Sequence, residues 1–423
     1  MPPPASEFRI VLLGAGNVGR EVASWLSAPD RWGAGRAVPR LELVAVGVRD
    51  PARPRGVTLP PSVEVTADLR GAIDRHRPDA VVELLGGVDT AGDVVRHALG
   101  SGIAVVTGNK ALLARHGGEL EALARETGAR LRFEAAVGGG IPVLRPLVDD
   151  LAANELHAVR GILNGTTNFM LSAMAREGRS YADALADAQA RGYAEADPTA
   201  DVAGHDAASK LVVLARLAFG TWVDLGRVAI APDAVTGDGA PGITGVTARA
   251  ITAAATHGLT IKLVAQATRG PDGSVSSSVM PMAVATSSVL GSTHGVTNVV
   301  EVDGEPIGRV WFRGPGAGGP ATSSAVIADL LALARGSGST WGASAPATAR
   351  AEPSLADRDR RGDWLVETPV PSAAEAAQAS RSVRAAVGGS YLVRDVALSE
   401  VRERLSREMV DRATPIYQVL EGE

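Results

Sequence analysis

The sequence predicts an α/β chain in three parts: a doubly wound N-terminal domain, an α+β second domain, and a small C-terminal unit of β-α-β-α-β order. Three observations predict it. Short apolar runs alternate with stretches of helical spacing over residues 1–135, a glycine cluster closes that region, and the composition turns to linker type at 336–362.

FRIVLL (8–13) is followed by GAGNVG and then by EVASWL at helical spacing, which reads as strand, turn and helix. LELVAVGV (41–48), DAVVEL (79–84), IAVVT (103–107) and ARLRFEAAV (129–137) read as further strands with helical stretches between. Alternation of this kind places the strands in a parallel sheet. GGGIP then marks the crossover into a second domain over 136–335, with helices expected at 143–152, 167–176, 180–191 and 203–219. Strand-rich TIKLVAQAT and SVSSSVMPM follow, and GPGAGGPATSSAVIADLLALA leads into a closing helix expected to pack back on the first domain. After the linker, 363–423 reads as strand (DWLVETPV), helix (SAAEAAQASRSVRAAV), strand (SYLVRDVA), helix (SEVRERLSREMVDR) and strand (PIYQVLE).

A chain of 423 residues exceeds what one hydrophobic core supports, and 45% hydrophobic with 21% charged residues is ordinary globular composition. The net charge of −5, with no basic block interleaved with aromatics, excludes a nucleic-acid footprint. Without a signal-type N-terminus or an apolar run of ~18 residues, a soluble cytoplasmic protein with no membrane partner is expected. There are 0 cysteines, which removes disulfides, thiolate metal sites and thiol nucleophiles together.

Of 42 basic residues only three are lysine, Lys110, Lys210 and Lys262, against 39 arginines. Such a bias enriches the surviving lysines for positions that need a compact ammonium able to give up its proton, which arginine cannot do. Packing or chance retention is the competing explanation for each.

Gly14, Gly16 and Gly19, with Asn17 and Val18 between them, form a full G-x-G-x-x-G between a strand and a helix. In a Rossmann-like domain the glycines allow a tight turn, close backbone approach to a pyrophosphate, and helix-on-sheet packing, while the helix N-terminus faces the phosphates. At the end of the second strand stands Arg49, next to Asp50. An arginine there pairs with a 2′-phosphate and an acid binds the free diol, so NADP is favoured with NAD still open.

Lys110 in VVTGNKALL follows a strand at the carboxyl edge of the sheet, where ligands bind in doubly wound folds. Lys210 stands four residues after Asp206 on an expected helix, so the two share a face. On spacing alone that pair is a surface salt bridge; the scarcity of lysine argues for chemistry. Upstream, Glu195, Asp197 and Asp201 cluster within seven residues, suiting a helix charge cap, a metal site or a grip on a substrate ammonium. The neighbouring His205 stands alone and reads as structural rather than as a metal ligand.

GILNGTTNFML (161–171) and ALADAQARGYAEADPTADVAGHDAASKL (184–211), with GAGNVG, GNK, FEAAVGGGIP (133–142) and GPGAGGPATSSAV (314–326), resemble the homoserine dehydrogenase family over about residues 8–335. The resemblance implies NAD(P)-dependent interconversion of L-homoserine and L-aspartate 4-semialdehyde, in threonine and methionine biosynthesis. It implies that Lys210 moves the proton of the substrate oxygen, with Asp206 on that hydroxyl and Lys110 completing the polar cluster. Glu195 would bind the amino group and Thr166 would shape the pocket, while Gly192 and Gly318 would approach the nicotinamide. Glu134, with carbonyls of Val137, Gly139 and Ile141, resembles a monovalent-cation site for sodium or potassium. A homodimer or higher homo-oligomer is implied as well.

A phosphorylating semialdehyde dehydrogenase needs a cysteine and is excluded; a sugar-type oxidoreductase or a silent NADP-binding sensor remains as an alternative. Longer members of the family carry a C-terminal ACT domain of four strands with a Pro-Gly turn. Here the corresponding ETPVPSAAEAA lacks that pair and only three strands are expected. This reads either as a degenerate ACT-like unit that has lost its ligand loop or as a different small module for dimer contact, so threonine is expected to inhibit weakly or not at all.

Overall fold

The computed structural model describes residues 7–28, 39–230, 241–347, 361–367, 383–387, 390–407 and 416–420. The chain divides into two compact units, the first comprising Met1–Asn154, Val212–Trp222 and Gly314–Ala349, the second Glu155–Leu211, Val223–Arg313 and Arg350–Glu423.

The first unit runs β1 (Phe8–Leu13), α1 (Asn17–Leu26), β2 (Leu41–Gly47), β3 (Glu64–Thr66), α2 (Leu69–His76), β4 (Ala80–Glu83), α3 (Asp89–Gly100), β5 (Ala104–Thr107), α4 (Lys110–Thr127), β6 (Leu131–Arg132) and α5 (Leu144–Val148). Its six strands are parallel in the order β3-β2-β1-β4-β5-β6. Strand order reverses between β1 and β4, and the carboxyl ends there open the crevice in which doubly wound sheets bind ligands. Parallel strands are covered on both faces, which explains the unbroken apolar stretch Ile10–Leu13 of β1, all of it buried. One core joins Ile10, Leu12, Val46, Val82 and Val106 of the sheet to Val22 and Leu26 of α1 and to Val326, Leu330 and Leu333 of the helix Gly319–Ala334, α11 in chain order. Each such side chain contributes about 1.5–3 kcal/mol when fully buried.

The strand read at 129–137 is corrected: only Leu131–Arg132 is extended, and Glu134–Ala136 is a 3-10 turn. Side chains take the backbone donors that a longer strand would need. Phe133 N donates to Thr340 Oγ1 at 3.0 Å and Glu134 N to Asp329 Oδ2 at 2.8 Å. Ser339 and Thr340, inside the stretch read as linker, thereby lie against β6, with Leu131 N donating to Ser339 Oγ and Thr340 N to Leu131 O.

The second unit contains β7 (Glu155–Ile162), α6 (Gly165–Glu177), α7 (Tyr181–Ala190), α8 (Thr199–Val202), the start of α9 (His205–Phe219), β8 (Ala229–Ile230), α10 (Ala248–Thr256), β9 (Leu259–Arg269), β10 (Val275–Ala285), β11 (Thr297–Glu305) and β12 (Gly308–Pro315). The helix expected at 203–219 starts at His205, because Gly204 sits at φ +89° and separates α8 from α9. Four C-terminal elements complete the sheet: β13 (Arg361–Glu367), β14 (Val383–Val387), β15 (Ser390–Ala397) and β16 (Ile416–Leu420), with α12 (Leu398–Arg407) between the last two.

The C-terminal strands do not form a sheet of their own. The order is β12-β11-β7-β9-β10-β16-β13-β15-β14, with β16 parallel to β10 through Met282 and Gln418. Trp364, Val366, Val393 and Ile416 share a core with Met280, Met282 and Val284. The β-α-β-α-β expectation is also corrected, since the described residues hold four strands: Val383–Val387, read as the end of a helix, pairs antiparallel with β15. Helical spacing in the alanine-rich run misled the reading, whereas Gly388-Gly389, a hairpin dipeptide, was the better signal. Apart from Glu367, the ETPVPSAAEAA segment lies outside the described residues. Among the described residues no helix is long and apolar enough to cross a membrane.

Candidate active site

The glycine turn sits at the reversal between β1 and β4. Gly14 has φ +98°, and a Cβ there would stand 2.3 Å from Leu84 O; a Cβ on Gly19 would stand 2.0 Å from Gly14 O. Those two glycines are required by close packing. Gly16 differs, because a Cβ on it meets nothing within 4 Å. Gly16 caps α1 without a side-chain hydrogen bond, and the first turn, starting at Asn17 and Val18, carries no acid. The first N–H groups of a helix have no partner within it and carry partial positive charge. Such a turn and helix start fit the phosphates of a dinucleotide. Gly318, at φ +106°, caps α11, and a Cβ on the next residue, Gly319, would come within 2.9 Å of Asn17 O. At the end of β2, Arg55 pins the following turn by donating to the carbonyls of Asp50, Pro51 and Arg53, while exposed Arg49 makes no hydrogen bond among the described residues.

Glu83 closes β4 with no exposed surface, and burial raises its pKa despite hydrogen bonds from Thr107, Leu85, Asn109 and Gly86. Thr107 Oγ1 donates to it at 2.6 Å and Leu85 N at 2.9 Å. Asn109 in turn donates to Gly87 O and caps α4 by accepting from Leu112 N, which sets Lys110 as the first residue of that helix. The sequence reading missed Glu83; a lone acid ending an otherwise apolar strand was the available signal.

In the second unit, α6 begins at the NGTTN segment. Asn164 caps it, accepting from Thr167 N at 2.9 Å, and its amide donates to Asp201 Oδ1 at 2.6 Å and Asp206 Oδ2 at 2.9 Å. Lys210, 7% exposed, donates from Nζ to Asp206 Oδ2 at 2.7 Å and to Leu163 O at 2.7 Å. An ammonium has three hydrogens, so one is left without an acceptor among the described residues. The pair is therefore a buried, oriented ion pair and not a solvent-screened surface bridge. Thr166 Oγ1 donates to Tyr193 O at 2.6 Å, tying α6 to the turn after α7, where Gly192 has φ +72°. Glu195 is exposed on that turn, and exposed His205 begins α9. Sequence reasoning missed Asn164; its N-cap position before an apolar helix is the available signal.

Glu134 is buried and its carboxylate accepts from Val143 N, Leu144 N and Arg145 N at 2.8, 2.8 and 3.0 Å, holding the start of α5. Burial, with Asp329 nearby, raises its pKa. Gly139, at φ +57°, has Gly316 within 2.7 Å of where a Cβ would be, and Ile141 N donates to Gly138 O. With its side chain occupied by N–H donors, Glu134 can offer a cation its main-chain oxygen, as Val137, Gly139 and Ile141 can. Among the described residues no group of three or more His, Cys, Asp or Glu could hold a metal ion.

Residues 14–134 match the model of the homoserine dehydrogenase NAD binding domain, and residues 142–331 the homoserine dehydrogenase model. A homoserine dehydrogenase of Corynebacterium glutamicum is 42% identical over 336 residues, 78% of this chain and 73% of the relative. The chain belongs to the homoserine dehydrogenase family. A homoserine dehydrogenase of Synechocystis is 41% identical over 326 residues, 76% of this chain and 72% of the relative. Among solved structures, a homoserine dehydrogenase from Thiobacillus denitrificans superposes with a TM-score of 0.86 at 29% identity, covering 98% of this chain and 99% of that one. A hyperthermophilic archaeal homoserine dehydrogenase in complex with NADPH gives a TM-score of 0.62 at 25% identity, covering 77% and 97%.

The reaction is that of homoserine dehydrogenases, an oxidation of a CH–OH group that interconverts L-homoserine and L-aspartate 4-semialdehyde with a nicotinamide nucleotide. Neither a sugar-type oxidoreductase nor a silent sensor is supported.

Proposed function

We propose that in this homoserine dehydrogenase Lys210 transfers the proton of the substrate oxygen and that Asp206 holds the same hydroxyl. The observation that carries the reading is the buried Lys210 ammonium, fixed by two short hydrogen bonds with its third hydrogen uncommitted. When bound, the nicotinamide supplies or accepts the hydride at the aldehyde carbon. As charge develops on the oxygen, the ammonium stabilises it and delivers the proton; in the oxidation direction the neutral amine accepts it. Lys110 completes the polar set, exposed Glu195 pairs with the substrate ammonium, and Thr166 holds the pocket wall.

NADP is the preferred cofactor in this reading, because Arg49 stands where the 2′-phosphate is met; the NADPH described in the archaeal neighbour supports it. Gly14, Gly16, Asn17, Val18 and Gly19 cradle the pyrophosphate, and Gly192 and Gly318 line the nicotinamide half. Sodium or potassium would be held by the carbonyls of Glu134, Val137, Gly139 and Ile141, a hard oxygen set suited to such ions. Activity in sodium or potassium salts against a bulky organic cation tests that site, and light scattering tests the homodimer or higher homo-oligomer. We place the enzyme in the cytoplasm.

The decisive experiment replaces Lys210. Lys210→Ala should lose ~10²-fold or more in turnover, the scale of a general acid/base, with cofactor affinity nearly unchanged. Lys210→Arg should not restore it, since guanidinium stays protonated. Near-normal turnover in Lys210→Arg would make the residue an electrostatic anchor instead.

A further inference from the structure

Lys262 lies outside the Asp206–Lys210 pair, yet it is 1% exposed in β9. Its Nζ donates to Asn168 Oδ1 at 2.9 Å, to Thr293 O at 2.7 Å and to Ser172 Oγ at 3.4 Å, and among the described residues no carboxylate contacts it. A buried ammonium without a countercharge is expensive, and persists where its hydrogen bonds serve a purpose. Both protein segments that it joins meet the Leu163–Asn164 turn, which contacts the Asp206–Lys210 pair. On one side, Asn168 lies one turn into α6, its backbone N donating to Asn164 O. On the other, Thr293 opens a loop whose Val296 O would stand 2.8 Å from a Cβ on Gly165, so the loop lies on the turn that carries Leu163 and Asn164. Asn168 also donates to Thr297 O at 3.1 Å, closing the circuit.

We propose that Lys262 is a positioning residue: its ammonium clamps the first turns of α6 to the 293–297 loop and so holds Asn164 and Leu163, which orient Asp206 and Lys210. The proposal rests on the reading of Asp206 and Lys210 as the proton-handling pair. Three donors radiating from one atom suit the three acceptors, whereas the flat fork of arginine does not.

The clamp has a pH signature. Among the described residues the charged and titratable groups that act on Lys262 are Arg176, two turns beyond Asn168 on α6, His294 in the loop, and Arg313 of β12, which donates to Ser292 O at 3.2 Å. All are basic. Burial, then Arg176 and Arg313, lower Lys262 from 10.5 to about 8. Below that value the ammonium makes the clamp; above it the amine keeps two hydrogens for three acceptors and the clamp loosens. Stability moves the other way. The folded state binds fewer protons than the unfolded state between about 8 and about 10.4, so over that window this group's contribution to stability rises with pH. Turnover lost through Lys262 is therefore not accompanied by a loss of stability from the same group.

With three lysines in the chain, protein labelled with 13C-lysine resolves each titration by NMR, and Lys262→Met assigns the signal. Semialdehyde reduction is followed in parallel across pH 6.5–10. We expect one lysine to titrate near 8 and the alkaline limb of kcat to follow it. Exposed Arg176→Glu, which removes one facing cation and adds an anion, should keep turnover at pH 7 and shift both signal and limb upward by roughly half a unit or more. Lys262→Met should lower kcat by about 10-fold or more at pH 7, the scale of small misplacements, abolish the limb and leave NADPH affinity unchanged. If Lys262→Met does not fold, Arg176→Glu alone decides. A limb that stays put while the Lys262 signal moves, or a folded Lys262→Met with normal kcat, overturns the clamp; normal turnover in Lys210→Ala overturns instead the reading beneath it.

Discussion

Two alanine substitutions in the glycine turn separate fold from cofactor binding within one hexapeptide. In Gly19→Ala the new methyl would stand 2.0 Å from Gly14 O, a backbone atom that no rotamer change can move. Overpacking of this kind costs about 1–3 kcal/mol, and a backbone collision belongs at the upper end. At about 3 kcal/mol, a unit of this size should melt roughly 6–12 °C lower. Gly16→Ala meets nothing within 4 Å and keeps an accessible backbone, φ −75° and ψ −158°. Losing glycine at the N-cap costs on the order of 0.5–1 kcal/mol, and restricting the unfolded chain returns about 0.4–1 kcal/mol, so stability should hardly change. Its methyl enters the space meant for the pyrophosphate. Disrupting one charged hydrogen bond there costs about 1.5–3 kcal/mol, or roughly 10- to 150-fold in affinity. Thermal melting and fluorescence titration with NADPH read both effects. Normal NADPH affinity in Gly16→Ala would show that the pyrophosphate does not cross this turn, and an unchanged melt in Gly19→Ala would refute the packing argument.

Arg49→Ala should raise KM for NADP far more than for NAD; equal effects would remove Arg49 from the ribose-phosphate site. Glu121 pairs with fully buried Arg216 through 2.6 and 2.8 Å bonds, and although burial raises its pKa, Arg216 and Trp222 bring it below the usual value. Its stabilisation is present above about pH 4.3 and lost as pH falls through the lower folded value. Glu121→Gln should therefore cost about 3–5 kcal/mol at neutral pH, by leaving Arg216 buried without its countercharge, and should flatten the acid limb of a melting series. A chain ending at residue 347 removes Trp364, Val366 and Ile416 from the core beside β10 and frees that strand's edge, so it should melt lower and aggregate. Equal solubility and melting would show the C-terminal strands to be dispensable. Threonine titrated into homoserine oxidation should leave the rate nearly unchanged, and strong cooperative inhibition would contradict that expectation.

Local spacing alone determined much of this protein. A strand, three glycines and a helix specify a dinucleotide turn because the whole device is contiguous, and Asp206 and Lys210 meet because four residues make about one helical turn. The scarcity of lysine marked all three positions without saying what each one holds. Tertiary structure decided the rest. Leu163 O, the second anchor of Lys210, lies 47 residues away; Asn168, a partner of Lys262, lies 94 away; and Thr340, which helps to end β6, lies 207 from Phe133. Such partners are chosen by whichever segment brings an acceptor to a buried donor, and no periodicity records that choice. The same holds for Val383–Val387, whose alanines suit a helix in isolation and a strand once β15 offers its ladder. Helical contacts are written in the spacing of neighbouring residues, whereas sheet pairing and buried hydrogen bonds are settled only when distant segments pack.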